Sequence, residues 1–160
     1  MAAKNIMNHR DEKPFWRTKS LSEMNKDEWE SLCDGCGKCC LQQLDDETTG
    51  TLVFTDVACE LFDAQTCRCT DYQNRSSRVP TCMTLNISNV LKTAEFAPSS
   101  CSYRLLALGE NLPVWHPLRH GGDRGPMDQQ GYSAKNRCRS MKSVDLDNLE
   151  EFLVDWPNKA

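Results

Sequence analysis

The sequence is poor in the large apolar side chains from which a hydrophobic core is built. Leucine, isoleucine, valine and phenylalanine together make up 30 of the 160 residues, or 19%. That fraction is typical of disordered chains when a large net charge accompanies it. The formal net charge here is only -4, and ten cysteines stand where aliphatic residues would otherwise be expected. We therefore expect a folded chain that something other than a large core holds together.

Long apolar runs and one-sided charge are missing as well. The longest strongly apolar run is Leu105-Leu106-Ala107-Leu108, far short of the roughly 20 residues that span a bilayer. The N-terminus has neither an apolar h-region nor a small-residue cleavage site, so we expect no secretory signal. No block of like charge indicates a nucleic-acid or membrane footprint. These absences predict a cytoplasmic protein without membrane or nucleic-acid partners, where clustered cysteines favour metal or redox chemistry over disulfides.

Four cysteines form a C-x2-C-x2-C-C run, namely Cys33, Cys36, Cys39 and Cys40. Two-residue gaps let a short turn aim successive sulfurs at one point, and Gly35 and Gly37 permit the tight turns. Three cysteines at this spacing plus a remote one are typical of loops that hold a four-iron cluster. Zinc more often takes C-x2-C pairs from two separate places in the chain. The run predicts a metal site and leaves zinc, iron and an iron–sulfur cluster open.

Five more cysteines are available as remote ligands: Cys59, Cys67, Cys69, Cys82 and Cys101. The nine thiols could complete two four-ligand sites with one left over. Cys138 lies alone in a polar segment and is expected to be a bystander. His116 stands between apolar residues, where a histidine is more often structural than a ligand. Asp34 and Asp71 lie beside ligand candidates, but ordinary solvated carboxylates are the expectation there.

Disulfides and thiol–disulfide exchange are the competing interpretations of the cysteines. Five disulfides would need an oxidising compartment, which the missing signal argues against. The adjacent Cys39 and Cys40 could pair with each other only in a strained ring. A thiol–disulfide enzyme needs one exposed pair of low pKa, whereas this chain offers an overlapping series of pairs.

Local patterns predict several short elements. The capping-box pairs Ser20/Glu23 and Asn25/Glu28 mark two possible starts of one helical segment before Cys33. The β-branched and aromatic segment 51–57 predicts a short strand, and a helix is expected near Cys101. The last element is an amphipathic helix over about residues 144–155. Its apolar stripe consists of Leu146, Leu149, Phe152 and Leu153.

The predicted fold is mostly α: a small irregular cysteine-cluster domain organised by metal, with one short β hairpin or strand pair and a C-terminal amphipathic helix. The predicted organisation is a flexible N-terminus (1–13), a cysteine-cluster metal-binding domain (14–118), a glycine-rich linker (119–142) and a C-terminal helix that packs on the domain (143–160). We expect that helix to dock on the 101–118 segment, which offers Leu105, Leu108 and Trp115.

The sequence resembles the bacterial YcgN family, which belongs to the broader CxxCxxCC, or YkgJ-like, cysteine-cluster proteins. The resemblance is most specific at EWESLCDGCGKCC (28–40) and CSYRLLALGENLPVWHPL (101–118), and it spans about residues 14–156. It implies a zinc- or iron-chelating domain. The family's cysteine positions fall on Cys33, Cys36, Cys39, Cys40, Cys59, Cys67, Cys69, Cys82 and Cys101. Cys138 lies outside the pattern.

The sequence thus predicts a metal-binding protein that chelates zinc or iron, including as an iron–sulfur cluster, with no biological process or protein partner specified. Two other functions stay open. One is a redox or metal-dependent enzyme with the cluster at its active site, which needs a pocket near His116, Tyr72 or Tyr103. The other is a protein-interaction module with a structural metal.

Overall fold

The structure, a computed structural model, describes residues 12–157; residues 1–11, most of the predicted flexible N-terminus, and residues 158–160 lie outside it. The α-helices of the described part are α1 (Phe15–Thr18), α2 (Lys26–Ser31), α3 (Arg75–Arg78), α4 (Val90–Thr93), α5 (Ser102–Ala107) and α6 (Gly125–Gln129). The 3-10 helices are Leu21–Glu23, Lys38–Cys40, Ala94–Phe96, Pro117–His120, Met141–Ser143 and Leu146–Phe152. Within residues 12–157, every helix is too short or too polar to span a membrane.

The prediction of a mostly α fold is wrong. Helical residues make up 36% of the structure and strands 14%, and the strands form two sheets. The physical reason is that the helices are short, with most of them only one or two turns long, and strands, turns and loops connect them. Asn25 does cap α2 as its capping box predicts, accepting a bond from Glu28 N at 2.9 Å. The helix ends at Ser31, immediately before the cysteine run.

The larger sheet contains the strand expected at 51–57. Strand β1 (Leu41–Asp46) pairs antiparallel with β2 (Thr51–Ala58), and the register shifts between Leu41 and Gln43. Strand β5 (Arg139–Ser140) runs parallel to the end of β2. A second, two-residue sheet pairs β3 (Phe62–Asp63) with β4 (Arg68–Cys69). Both sheets therefore begin or end at a cysteine or next to one.

The C-terminal amphipathic helix is also a wrong prediction. Residues Leu146–Phe152 form a 3-10 run that is broken at Asn148, whose backbone is non-helical. The chain then becomes extended and pairs with β2, where Leu153 lies opposite Thr55 and Val154 N donates to Phe54 O at 3.1 Å. Main-chain bonding to the sheet thus replaces the last helical turn. Leu108, part of the expected docking surface, is 65% exposed.

Buried side chains form three small clusters in place of one core. The first contains Leu32, Val90, Ala94 and Tyr103; the second contains Cys36, Trp115, Met127 and Tyr132; the third contains Leu41, Ala58, Ala134 and Trp156. Segment 119–142, predicted as a linker, supplies three of these buried residues. The division of the chain into domain, linker and C-terminal segment remains a prediction.

Trp156 anchors the C-terminal segment, and its truncation should therefore lower stability. Trp156 is 8% exposed, and its indole Nε1 donates to Thr55 O at 3.3 Å. We expect Trp156→Ala to lower the free energy of unfolding by about 3–5 kcal/mol, because it leaves a cavity in the third cluster. Urea unfolding measures this loss.

Leu153→Ala is the matched control for that variant. Leu153 is 45% exposed, so its truncation should change stability by no more than about 0.5 kcal/mol. Equal effects of the two variants would show that Trp156 does not anchor the segment.

Candidate metal centre

The cysteine run lies in a loop, residues 32–41, that is held by hydrogen bonds from four distant parts of the chain. The bonds join His116 Nε2 to Leu32 O (3.0 Å), Ala134 N to Cys36 O (2.7 Å), Cys59 N to Cys40 O (2.8 Å) and Lys38 Nζ to Ser100 Oγ (3.0 Å). This segment is called the cysteine loop below. Its backbone position is therefore fixed from several directions at once.

Two glycines give the cysteine loop its shape, as their spacing predicts. Gly35 and Gly37 have φ of +73° and +76°, in the left-handed region that side chains with a Cβ disfavour. A Cβ at Gly37 would lie 2.5 Å from the Phe62 ring and 2.9 Å from Cys67 Sγ. Both the backbone conformation and the close packing therefore require glycine at position 37.

The remote cysteines reach the loop through the ends of short elements. Cys59 directly follows β2, and Cys69 pairs with Phe62 in the second sheet. Cys82 follows α3 in a turn, with its N donating to Val79 O at 2.9 Å. Cys101 is the N-cap residue of α5.

We call one set of interacting side chains the first thiol group. It consists of the Asp34 carboxylate and four thiols, those of Cys33, Cys36, Cys39 and Cys101. Burial is the main cause that raises the pKa of Cys33 and Cys36, and the neighbouring Asp34 carboxylate raises both further. Burial raises the pKa of Cys101 to about 12, again with help from Asp34. The pKa of Cys39 is raised first by its hydrogen bond with the Cys40 thiol and then by burial.

The second thiol group consists of four more thiols, those of Cys40, Cys59, Cys69 and Cys82. Burial raises the pKa of Cys82, the Arg75 guanidinium lowers it, and the thiols of Cys39, Cys59 and Cys69 raise it again. The backbone bond between Cys59 and Cys40 fastens this group to the cysteine loop. Cys39 also acts on Cys33, Cys36 and Cys101, so the two thiol groups meet at Cys39 and Cys40.

Cys67 is placed differently from the other clustered cysteines. It is 3% exposed, and its thiol donates to Gly35 O and Cys36 O at 3.3 and 3.4 Å. Its pKa is raised by burial and lowered by a hydrogen bond from Arg124. The thiol thus braces the outside of the cysteine loop. Burial raises the pKa of Cys138 to about 11, and the Cys67 thiol also raises it.

His116 is fully buried, and both of its ring nitrogens are used. Nε2 lies 3.0 Å from Leu32 O, an atom that only accepts, and Nδ1 accepts a bond from Leu118 N at 3.0 Å. Burial lowers the pKa of His116, which favours this neutral form. The structural interpretation of His116 is therefore confirmed.

The two tyrosines near which the enzyme alternative needs a pocket also form hydrogen bonds. Tyr103 Oη donates to Trp29 O at 2.7 Å, and Tyr72 Oη donates to Glu30 Oε2 at 2.9 Å. Two surface cavities, of about 260 and 250 Å3, lie near Trp16 and near Ile87, with linings that include none of the cysteines.

Two charged residues of the cysteine loop are buried, which sequence reasoning missed. Asp34 is 7% exposed, so the expectation of a solvated carboxylate is wrong, and Lys38 is 1% exposed. Lys38 Nζ lies 5.4 Å from the centre of the Tyr132 ring. The spacing Asp-x-Cys offered one signal, because an aspartate often accepts a bond from the N–H two residues later. Nothing in the sequence pattern indicates the burial of Lys38.

The donor chemistry fits a thiophilic metal, although the side chains do not form a closed coordination shell. Within residues 12–157, no three His, Cys, Asp or Glu side chains lie close enough together to share one metal ion. The thiols would therefore turn toward each other on binding. A bound cation would also favour the thiolates that burial disfavours in the first thiol group. Cys33 and Cys39 keep part of their residue surface open to solvent, although neighbouring atoms crowd their thiols, and this open surface gives a metal a path to the site.

Comparisons with known proteins support this chemistry. Residues 32–102 match the CxxCxxCC family, described as "Putative zinc- or iron-chelating domain". A UPF0260 protein of Parvibaculum lavamentivorans is 51% identical over 146 residues, covering 91% of this chain and 94% of that protein. A UPF0260 protein of Gluconobacter oxydans is 49% identical, covering 91% and 87%.

A third relative, a UPF0260 protein of Agrobacterium fabrum, is 48% identical over 144 residues, covering 90% of this chain and 88% of that protein. No solved structure matches the chain. The CxxCxxCC resemblance is thereby confirmed, whereas the narrower YcgN name rests on the quoted motifs alone.

The tight packing at Gly37 generates the prediction of this subsection. We expect Gly37→Ala to destabilise the fold by about 1–2 kcal/mol through its left-handed backbone and by a further ~1–3 kcal/mol through overpacking. Gly109→Ala is the matched control, because Gly109 has a φ of +78° and would meet nothing within 4 Å. Urea unfolding of both variants measures the difference, and equal losses would show that the contact with Phe62 and Cys67 is unimportant.

Proposed function

This chain belongs to the UPF0260 family, and on that premise we propose that it chelates zinc or iron through the two thiol groups that meet at Cys39 and Cys40. The observation that carries the proposal is the convergence of remote cysteines on one loop. Cys101 approaches the loop from α5, and Cys59, Cys69 and Cys82 approach it from the two sheets and α3.

The donor atoms limit which metals the groups would accept. Thiolates are soft ligands that select zinc, copper(I) and iron–sulfur centres over magnesium, calcium or manganese. Four thiolates complete a tetrahedral zinc site, and four also hold an iron–sulfur cluster. When bound, the metal would supply the cross-links that the three small hydrophobic clusters lack.

Each thiol group also has a cation that would offset thiolate charge. Lys38 lowers the pKa of Cys36 in the first thiol group, and Arg75 lowers that of Cys82 in the second. Such neighbours tune the charge and affinity of a metal site. We also propose a cytoplasmic location, because a reducing compartment favours metal binding by clustered cysteines over disulfide formation. Residues 14–118 carry every proposed ligand.

The first test is the metal content of the full chain. Anaerobically purified protein should contain zinc or iron, and visible absorption separates the alternatives because an iron–sulfur cluster absorbs and zinc does not. Removal of the metal by a strong chelator should lower the melting temperature, since metal binding in small domains doubles as folding energy of about 10–16 kcal/mol. Reduced, metal-free protein with unchanged melting and no uptake of either metal would refute the proposal.

Single cysteine variants test which thiols bind. Cys101→Ser should lower the metal content by about one site, and serine is itself a good N-cap for α5, so the helix should persist. Cys138→Ser is the bystander control and should leave the content unchanged. The contacts of Cys67 with loop carbonyls lead us to propose a positioning role for it, so Cys67→Ser should keep the metal as well. Equal metal loss in all three variants would contradict this assignment.

A further inference from the structure

The Asp34 carboxylate is buried inside the cysteine loop with one oxygen left over. Its Oδ1 accepts a bond from Cys36 N at 2.9 Å, which fixes the carboxylate beside the first thiol group. Its Oδ2 is fully buried and has no hydrogen-bond partner among the described residues. A buried carboxylate oxygen without a partner is costly, so this atom needs an explanation.

No cation of the described chain compensates Asp34. The ion pairs of residues 12–157 all involve other acids. The buried Lys38 ammonium, two residues after Cys36 and one before Cys39, is directed to Ser100 Oγ instead. His116 lies near the carboxylate but is neutral, with both nitrogens bonded elsewhere.

The groups around the carboxylate are the thiols. Asp34 acts electrostatically on Cys33, Cys36, Cys39 and Cys101, all four members of the first thiol group. A carboxylate among thiolates would be repelled by each of them. A metal cation among these groups would attract the carboxylate as it attracts the thiolates.

We infer that Asp34 supplies an oxygen ligand, through Oδ2, to the metal held by the first thiol group. Zinc takes four ligands, so Asp34 would complete the site with three of the thiols: Cys33, Cys36 and Cys101. The Cys39 thiol would keep its hydrogen bond with Cys40. This inference rests on the proposed function and replaces one of its sulfur ligands. Carboxylate oxygen is an accepted zinc ligand, and Oδ1 would keep its bond to Cys36 N. The first thiol group would then use sulfur and oxygen donors, while the second would use sulfur alone.

The mixed donor set has a chemical consequence. An oxygen ligand is harder than sulfur and matches soft metals less well. The metal in the first thiol group would therefore exchange faster than the metal in the second. The two groups would differ in role, one holding its metal firmly and the other releasing it to a competing chelator.

Cobalt(II) loaded into reduced, metal-free full-length protein tests the inference. In Asp34→Asn the amide oxygen can still accept from Cys36 N, but the free carboxylate oxygen is gone. The cobalt of the first thiol group should then show shifted d–d bands and transfer to a chromogenic chelator about 10- to 100-fold faster. Its thiolate-to-cobalt charge-transfer absorption per metal should stay constant, because no thiolate is lost.

Asp34→Cys tests whether the effect of Asp34→Asn is only structural. It should restore slow transfer and raise the charge-transfer absorption, because it adds a thiolate. Asp71→Asn is the carboxylate control. Asp71 neighbours Cys69 in sequence but pairs with Arg78 at 2.9 Å, so this variant should match the unmodified chain.

The outcomes separate this inference from the proposed function. Absence of cobalt binding by the unmodified chain would refute the proposed function. Cobalt binding by that chain, with identical spectra and transfer rates in Asp34→Asn, would overturn the role of Asp34 alone.

Discussion

The cysteine loop is the constraint on which the rest of the structure depends. Its first residue, Leu32, lies in one hydrophobic cluster, Cys36 lies in the second and Leu41 lies in the third. Each cluster has only four fully buried members, too few to fold alone. Because one ten-residue segment passes through all three, a change in the shape of the loop would disturb each of them. The fold therefore depends on the same loop that carries the candidate metal ligands.

The cysteine loop also places two charged side chains in the buried interior, where apolar side chains are usual. Asp34 and Lys38 are both buried, and neither forms an ion pair within residues 12–157. Buried charges without an opposite charge beside them cost several kcal/mol each in proteins. A chain with so few aliphatic residues has little stability to offset that cost. This imbalance is the strongest physical sign that the loop is built around a ligand.

Sequence patterns predicted the features that depend only on residues close together in the chain. The Asn25 capping box, the strand at 51–57 and the turns at Gly35 and Gly37 all depend on residues near one another in sequence. The C-terminal helix was mispredicted because bonds from Val154 to Phe54, a hundred residues away, override its helical period. The burial of Asp34 was missed because it depends on residues distant in sequence. Cys101 and His116, which interact electrostatically with its carboxylate, lie 67 and 82 residues further along the chain.

The order in which the chain is synthesised determines when the cysteine loop can be fully anchored. Cys33 emerges from the ribosome early, but the loop's last backbone partner, Ala134, emerges only when most of the protein has been made. Until then the loop lacks the bond from Ala134 N to Cys36 O. The four thiols of residues 33–40 are therefore synthesised about a hundred residues before the backbone partner that completes the anchoring of their loop.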